Sequence, residues 1–508
     1  METRPNVKWA SLSYVWGGPQ ETRTTRTTLS KHLEGIEMDV LPQTLVDAIK
    51  VCRGLDIPYL WIDALCIIQD DTSDLSRELA SMPKIYQEGY ITIEAARAQG
   101  AQTGFLGKTV YSYDSFPPTQ IKYESIDGRM GQVLLCQDNH ENILTGDPIN
   151  SRAWTFQEIL LSPRSLRFTL DVMRWSCRSA RRFDGNWKKA DRLYVTDTYN
   201  WLYGDVPCIP GRPMPAWEPV VNSYSGRKMT NQSDRLVAIS AIAKVYGDSN
   251  KHTYLAGLWK ETLPLGLCWM VEQGAREPRP KEFRAPSWSW ASIDTPFCFV
   301  GNWWIKEGRT KDGHTGLFIG QETVSDGVDV IEANLEPTSV GTEYFSIKSA
   351  SLTIRAPTRL VKWDIDYRDG IGEISIDDIV FTGYADAWED NWPDKETLLE
   401  GLSGKGSYEA AEENDDQSSV SSDDAYGSLQ VIAMLISKSS HYDHGYLGID
   451  ATTTLGDNYL LSRCGILLVK DGQQYKRVGF FRGYVDEELY SCEAASLPGF
   501  KVDTIAIV

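Results

Sequence analysis

Between Leu41 and Ala96 the hydrophobic period of the chain alternates between helical and extended repeats. This alternation constrains the fold more than any other feature. Leu45, Ala48, Ile49 and Cys52 fall at i, i+3, i+4 and i+7 and share one helical face. Gly54 is placed to end that helix, since glycine tolerates positive φ. Ile57-Pro-Tyr-Leu-Trp-Ile62 has strand length and composition and is predicted to be buried on both faces. Leu75, Leu79, Met82 and Tyr86 return to helical spacing, with Pro83 predicted to kink the helix. Tyr90-Ile-Thr-Ile-Glu94 alternates as a strand. Upstream, Trp9-Ala-Ser-Leu-Ser-Tyr-Val-Trp16 reads as a first strand broken by Gly17-Gly18-Pro19. This order predicts an α/β fold with a parallel sheet and right-handed crossovers.

The carboxyl edge of such a sheet is where open α/β folds bind ligands. Ser13 and Tyr14 at the end of the first strand fall on that rim, as does Asp63 at the end of the second. Asp63 equally suits a cap of the following turn. Further on, Asn150-Ser-Arg-Ala-Trp-Thr-Phe-Gln-Glu158 places a carboxylate on a helix among aromatics, with Trp154 one turn before Glu158 on the same face. Glu158 is a candidate catalytic carboxylate; capping a helix or pairing with Arg164 are the competing roles.

A chain of 508 residues is expected to hold two or three domains. We place an α/β domain at 1–170, a mostly helical, Trp-rich region at 171–320 and a β-rich domain at 321–508. Residues 105–150 read as an insertion with strands such as Gly131–Cys136. The β-rich assignment rests on runs such as Ser351–Arg355, Ile374–Val380 and Gly465–Lys470, which predict an antiparallel sheet. Residues 403–426, rich in Ser, Gly and acids, are expected to form a disordered loop. Trp217, Trp259, Trp269, Trp288 and Trp290 are read as interdomain core rather than ligand platforms.

The net charge of −19 argues against nucleic acid or an anionic membrane surface as a partner. The basic stretch Arg174, Arg178, Arg181, Arg182, Lys188 and Lys189 is read as a solvated or salt-bridging face. Nine scattered cysteines without a CxxC pair argue against a disulfide framework and a zinc site, and for reduced thiols in the cytoplasm. Neither a secretory leader nor a membrane span is expected. His441-x-x-His444 lacks a visible third ligand, and no metal or bound cofactor is expected. Cys66 is read as an inert thiol, and no GxSxG elbow or strand-linked GxGxxG is present.

Several segments in order resemble one known family. Ser13-Tyr-Val-Trp-Gly17, Leu41-Pro-x-Thr-x-x-Asp47-Ala48, Leu60–Gln69, Met82-x-x-Ile85-Tyr86 and Arg152–Glu158 are similar to the fungal heterokaryon-incompatibility (HET) domain. Tyr224-Ser-x-Arg-x-x-Thr230, Ser233–Leu236, Gly257-Leu-Trp259 and Ala285–Trp290 resemble its usual continuation. The resemblance implies a cytoplasmic effector of programmed cell death in self/non-self recognition, with protein partners and self-association. It departs in its short segment before the first strand and in lacking a GxxxxGK[ST] loop.

HET domains are in turn distantly similar to TIR domains, some of which cleave NAD with a helical glutamate. That likeness implies a TIR-like, flavodoxin-like sheet with NAD as a possible substrate. Glu158 would be the catalytic group, and Ser13, Tyr14, Trp16, Asp63, Arg152 and Trp154 would line the substrate. Loss of neutral nicotinamide needs little acid assistance, so one carboxylate beside the oxocarbenium-like ribose is enough in principle. Arg152 can meet the diphosphate through its planar fork. A non-enzymatic scaffold working through aromatic interfaces is the alternative, as is a biosynthesis-related protein on a recruited HET scaffold.

Overall fold

The structure is a computed structural model that describes residues 7–107, 119–124, 130–135, 146–170, 173–177, 180–183, 217–271, 276–299, 306–309, 315–318, 322–366, 369–376, 379–387, 426–442, 459–485, 491–494, 497 and 499–508. The acidic segment expected to be disordered lies outside the described residues, as do His444 and much of the basic stretch. The chain forms two compact units, one of residues 1–216, 227–231 and 244–249, the other of 217–226, 232–243 and 250–508.

The first unit is built on β1 (Trp9–Ser13), which lies between two parallel neighbours. The helices α1 (Leu29–Glu34) and α2 (Gln43–Gly54) lead to β2 (Tyr59–Trp61). The short α3 (Asp63–Cys66) and the long α4 (Thr72–Glu88) lead to β3 (Ile91–Glu94). A hairpin of β4 (Thr119–Glu124) and β5 (Met130–Leu135) follows within the expected insertion. Then α5 (Ala153–Leu161) leads to β6 (Arg164–Phe168). The sheet order is β2-β1-β3-β6 in parallel, with β7 (Met173–Cys177) and β8 (Ala180–Phe183) added antiparallel. Leu12, Ile91 and Ile93 from the sheet pack with Leu45, Ala48 and Cys52 of α2, all nearly solvent-free.

Three expectations are corrected here. The sheet is mixed, because the few residues between β6 and β7 are too short for a parallel crossover. Residues 173–177 and 180–183 therefore extend this sheet instead of opening a helical region. And β2 is an edge strand in which Tyr59 is 51% exposed while Trp61 is 2% exposed, so its apolar run is only partly buried. In local detail, α4 runs through Pro83, and its start is capped by Asp71, which accepts from the amides of Ser73 and Asp74. Past Gly54 it is Asp56, not the glycine, that adopts positive φ (54°).

The second unit contains the helix α6 (Trp217–Ser225) and the first half of α7 (Val237–Asn250). Short strands follow: β9 (Tyr254–Leu255), β10 (Leu258–Trp259), β11 (Trp269–Met270) and β12 (Cys298–Phe299). Trp217, Trp259, Trp269, Trp288 and Trp290 are all buried, as expected of core. The indole N–H groups of Trp217 and Trp290 both donate to Gly257 O, at 2.7 and 2.9 Å. Gly257 has φ +91°, and a Cβ there would lie 2.7 Å from the Trp290 ring, so this turn requires glycine.

After the hairpin of β13 (Lys306–Arg309) and β14 (Thr315–Phe318) comes a nine-stranded sheet. Its strands are β15 (Glu322–Ser325), β16 (Asp329–Pro337), β17 (Ile347–Asp366), β18 (Ile371–Ile376), β19 (Ile379–Ala385), β20 (Tyr426–Tyr442), β21 (Tyr459–Asp471), β22 (Gln474–Tyr484) and β23 (Lys501–Ile507). It is antiparallel apart from the β22–β23 contact. The twenty-residue β17 holds it together, pairing with β16 and β23 along its first half and with β18 and β20 along its second. Trp363, Ile365, Phe381, Val431, Leu467 and Phe481 form its core. Among the described residues no helix is long and apolar enough to cross a membrane.

Candidate active site

The end of β1 must turn sharply, and two glycines let it. Gly17 has φ +73°, and a Cβ on it would lie 2.7 Å from Gly100 Cα. Close contact is held by the Ala101 amide, which donates to Trp16 O at 3.1 Å. Gly17→Ala combines a left-handed backbone with a backbone clash, and we expect it to lower stability by about 1–3 kcal/mol. Gly54→Ala, in a helix with open space around it, should be neutral or stabilising. Urea unfolding of the two variants checks the contrast.

The loop thus placed is locked by α2. Asp47 Oδ2 accepts from the amides of Phe105 (2.9 Å) and Leu106 (3.0 Å), and Gln43 donates to Oδ1 at 2.7 Å. Burial acts to raise the Asp47 carboxyl, but the Leu106 and Phe105 amides outweigh it and hold the group below its ordinary value. Thr44 joins in, donating to Gly100 O and accepting from the Gly104 amide. The Thr44–Asp47 spacing of the sequence motif is therefore a loop latch.

Against this frame the polar residues converge on α5 and the ends of β1 and β2. Ser13 Oγ donates to Glu158 Oε2 at 2.6 Å. The Tyr86 hydroxyl, from α4, donates to Leu12 O at 3.1 Å and also bears on the Glu158 carboxylate. Glu158 is 4% exposed. Burial pushes its pKa from 4.5 up to about 7, helped by Asp63 and opposed by the Arg152 charge and the hydroxyls of Ser13 and Tyr86. Neither expected structural role for Glu158 applies: it does not cap α5, and Arg164 donates instead to Tyr90 O and stacks on that ring.

Asp63 bonds both within the turn that follows it and to Trp16. Its Oδ1 accepts from the Ala64 amide at 2.7 Å, fixing the first turn of α3. Its Oδ2 accepts from the Trp16 indole at 2.8 Å. Burial raises the Asp63 carboxyl, with Arg152 working against it. Arg152 donates to Tyr14 O at 2.7 Å and lies 5.8 Å from the Trp16 ring centre. The buried Tyr14 hydroxyl bears on the Asp63 carboxylate; desolvation and the Asp63 charge both raise its pKa. Ser13, Tyr14, Trp16, Asp63, Arg152 and Glu158 are thus one electrostatic cluster. Trp154 stands apart from it, half-buried one turn earlier on α5.

Sequence reasoning gave no role to Tyr86, which closes the cluster from α4, or to Arg227. The Arg227 guanidinium stacks on Phe156 at 4.7 Å and donates to Arg152 O at 3.2 Å. Beside it the Lys228 carbonyl accepts from the Ala153 amide, an otherwise unpaired donor at the first turn of α5. Tyr86 and Arg227 were visible only as motif letters, since nothing local ties them to Glu158. An open pocket of about 460 Å³ in this unit lies elsewhere, at the amino edge of the sheet, lined by Lys8, Glu88, Tyr90, Arg164 and Cys177.

Residues 9–158 match the family model of the heterokaryon incompatibility protein (HET). The match starts at the first residue of β1, ends at Glu158, and contains Ser13, Tyr14, Trp16, Asp63, Tyr86, Arg152 and Glu158, while Arg227 lies beyond it. It covers less than half of the chain, so it describes the α/β sheet and α5, not the second unit. No curated protein and no solved structure gives a significant match.

Proposed function

We propose that this chain is a cytoplasmic effector of heterokaryon incompatibility that kills a fungal cell by cleaving NAD with Glu158. The observation that carries this reading is one cluster: a carboxylate with a pKa near 7, a second carboxylate, an arginine and two hydroxyls at the carboxyl edge of the sheet. The strand order β2-β1-β3-β6 is that of flavodoxin-like sheets, whose winding reverses between the first and third strands, where ligands bind. It supports the TIR-like comparison.

In this reading Glu158 holds the ribose hydroxyls and stabilises the positive charge that develops as nicotinamide leaves. Arg152 pairs with the diphosphate, and Trp16 and Trp154 flank the substrate. Ser13 and Asp63 orient Glu158 and Trp16. Because Glu158 is shielded at rest, activation by self-association or a protein partner must open the rim. That keeps NAD cleavage silent until the trigger arrives.

A second reading rests on the 4% exposure of Glu158. A carboxylate this enclosed can instead be a keystone of a non-enzymatic scaffold that signals by association. NAD measured in cells expressing the wild type or Glu158→Gln separates the two. Depletion confined to the wild type at equal protein level supports cleavage. Cell death with unchanged NAD supports the scaffold.

A further inference from the structure

Cys268 and Cys464 lie far apart in sequence, yet their sulfurs are 3.9 Å apart in the second unit. Both thiols are buried, at 1% and 6% exposure. Cys464 sits on β21 directly opposite Ser437 of β20, just past a bulge. Ser437 Oγ is 3.0 Å from Cys464 Sγ and 3.7 Å from Cys268 Sγ. The approach is held from outside. Arg477 of β22 donates to Leu267 O and Trp269 O, both at 2.6 Å, so its guanidinium grips the chain on either side of Cys268. The same group lies 3.6 Å from the Trp269 ring centre and pairs with Asp386 through two hydrogen bonds, at 2.8 and 3.1 Å.

We propose that Cys268 and Cys464 form an oxidative modification site that a peroxide converts to a disulfide. The Cys464 thiolate attacks one peroxide oxygen, and the O–O bond breaks with release of hydroxide, leaving a sulfenic acid. The Cys268 sulfur then displaces water from it as the S–S bond forms. In sum, two thiols and one hydrogen peroxide give one disulfide and two waters. Cys464 is the attacking sulfur because the Ser437 hydroxyl lies nearer to it, 3.0 Å against 3.7 Å from Cys268, and can donate to its thiolate. Pre-formed proximity makes this pair, rather than exposed Cys66, the one that crosslinks.

The test uses the full chain treated with hydrogen peroxide, alkylated with a maleimide in denaturant, and mapped by mass spectrometry. The expected result is joint loss of Cys268 and Cys464 from the alkylated pool, a crosslinked peptide joining them, and reversal by a thiol reductant. In Cys268→Ser, dimedone should trap Cys464 as its sulfenic acid, while Cys66→Ser should leave the crosslink unchanged. Wild-type protein in which both thiols remain alkylatable while Cys66 is oxidised would overturn the proposal. So would a crosslink joining Cys464 to another cysteine.

Discussion

Replacing Asp386 by alanine should destabilise the second unit by about 3–5 kcal/mol, the loss typical when one member of a buried ion pair is removed. Asp386 and Arg477 are both fully buried and pair at 2.8 Å, and Arg279 approaches the same carboxylate at 3.4 Å. Burial alone already pulls the Arg477 guanidinium below its ordinary value, with Asp386 the main group restoring it. Without the carboxylate that cation keeps its carbonyl contacts but loses its counter-charge in a dry site. The urea midpoint read by tryptophan fluorescence should fall steeply, since Trp269 lies under the guanidinium. The double variant Asp386→Leu/Arg477→Met should recover much of the loss, because removing both charges also removes their desolvation. If the single variant unfolds like wild type, the pair is not what anchors this part of the sheet.

Glu158→Gln should do the opposite at neutral to alkaline pH and raise stability. The folded pKa lies near 7 against 4.5 for the free side chain, so the folded state binds the proton more tightly. The stabilising contribution is complete below about pH 4.5 and is lost as the pH rises through about 7. Above pH 8 the ionised, buried carboxylate weakens the fold by on the order of 3 kcal/mol relative to a neutral isostere. Glutamine keeps an acceptor for Ser13 and carries no charge to desolvate. Thermal unfolding from pH 5 to 9 should therefore show wild-type stability falling across the neutral range and a flatter curve for the variant. A carboxylate kept at a cost in stability is what the proposed role of Glu158 would entail. Parallel curves would mean that Glu158 is not desolvated as described.

The parallel order of the first unit was legible because α2, β2, α4 and β3 each announce themselves by period. The cluster was legible in part, because strand ends and a helical Trp-x-x-x-Glu spacing place Ser13, Asp63 and Glu158 near one edge. What failed was long-range. In Ile57–Ile62 only Pro58, which has no amide to donate, hints at an edge; the position itself depends on which strands arrive later. The strands β7 and β8, rich in arginine, lack the alternation that marks a half-buried strand. The roles of Tyr86, Arg227 and Arg477 depend on contacts across distant parts of the chain. The buried tryptophans matched expectation because an indole surrounded by apolar helix and turn residues has few other places to go.

Cleavage of NAD by Glu158 is tested most directly by nicotinamide release from the full-length chain, concentrated until it self-associates, from pH 5 to 9, for the wild type and Glu158→Gln. Release by the wild type should rise through about pH 7 as Glu158 ionises, with none by a folded Glu158→Gln protein. Equal release by both proteins, or none from a wild type that still kills cells, would contradict it.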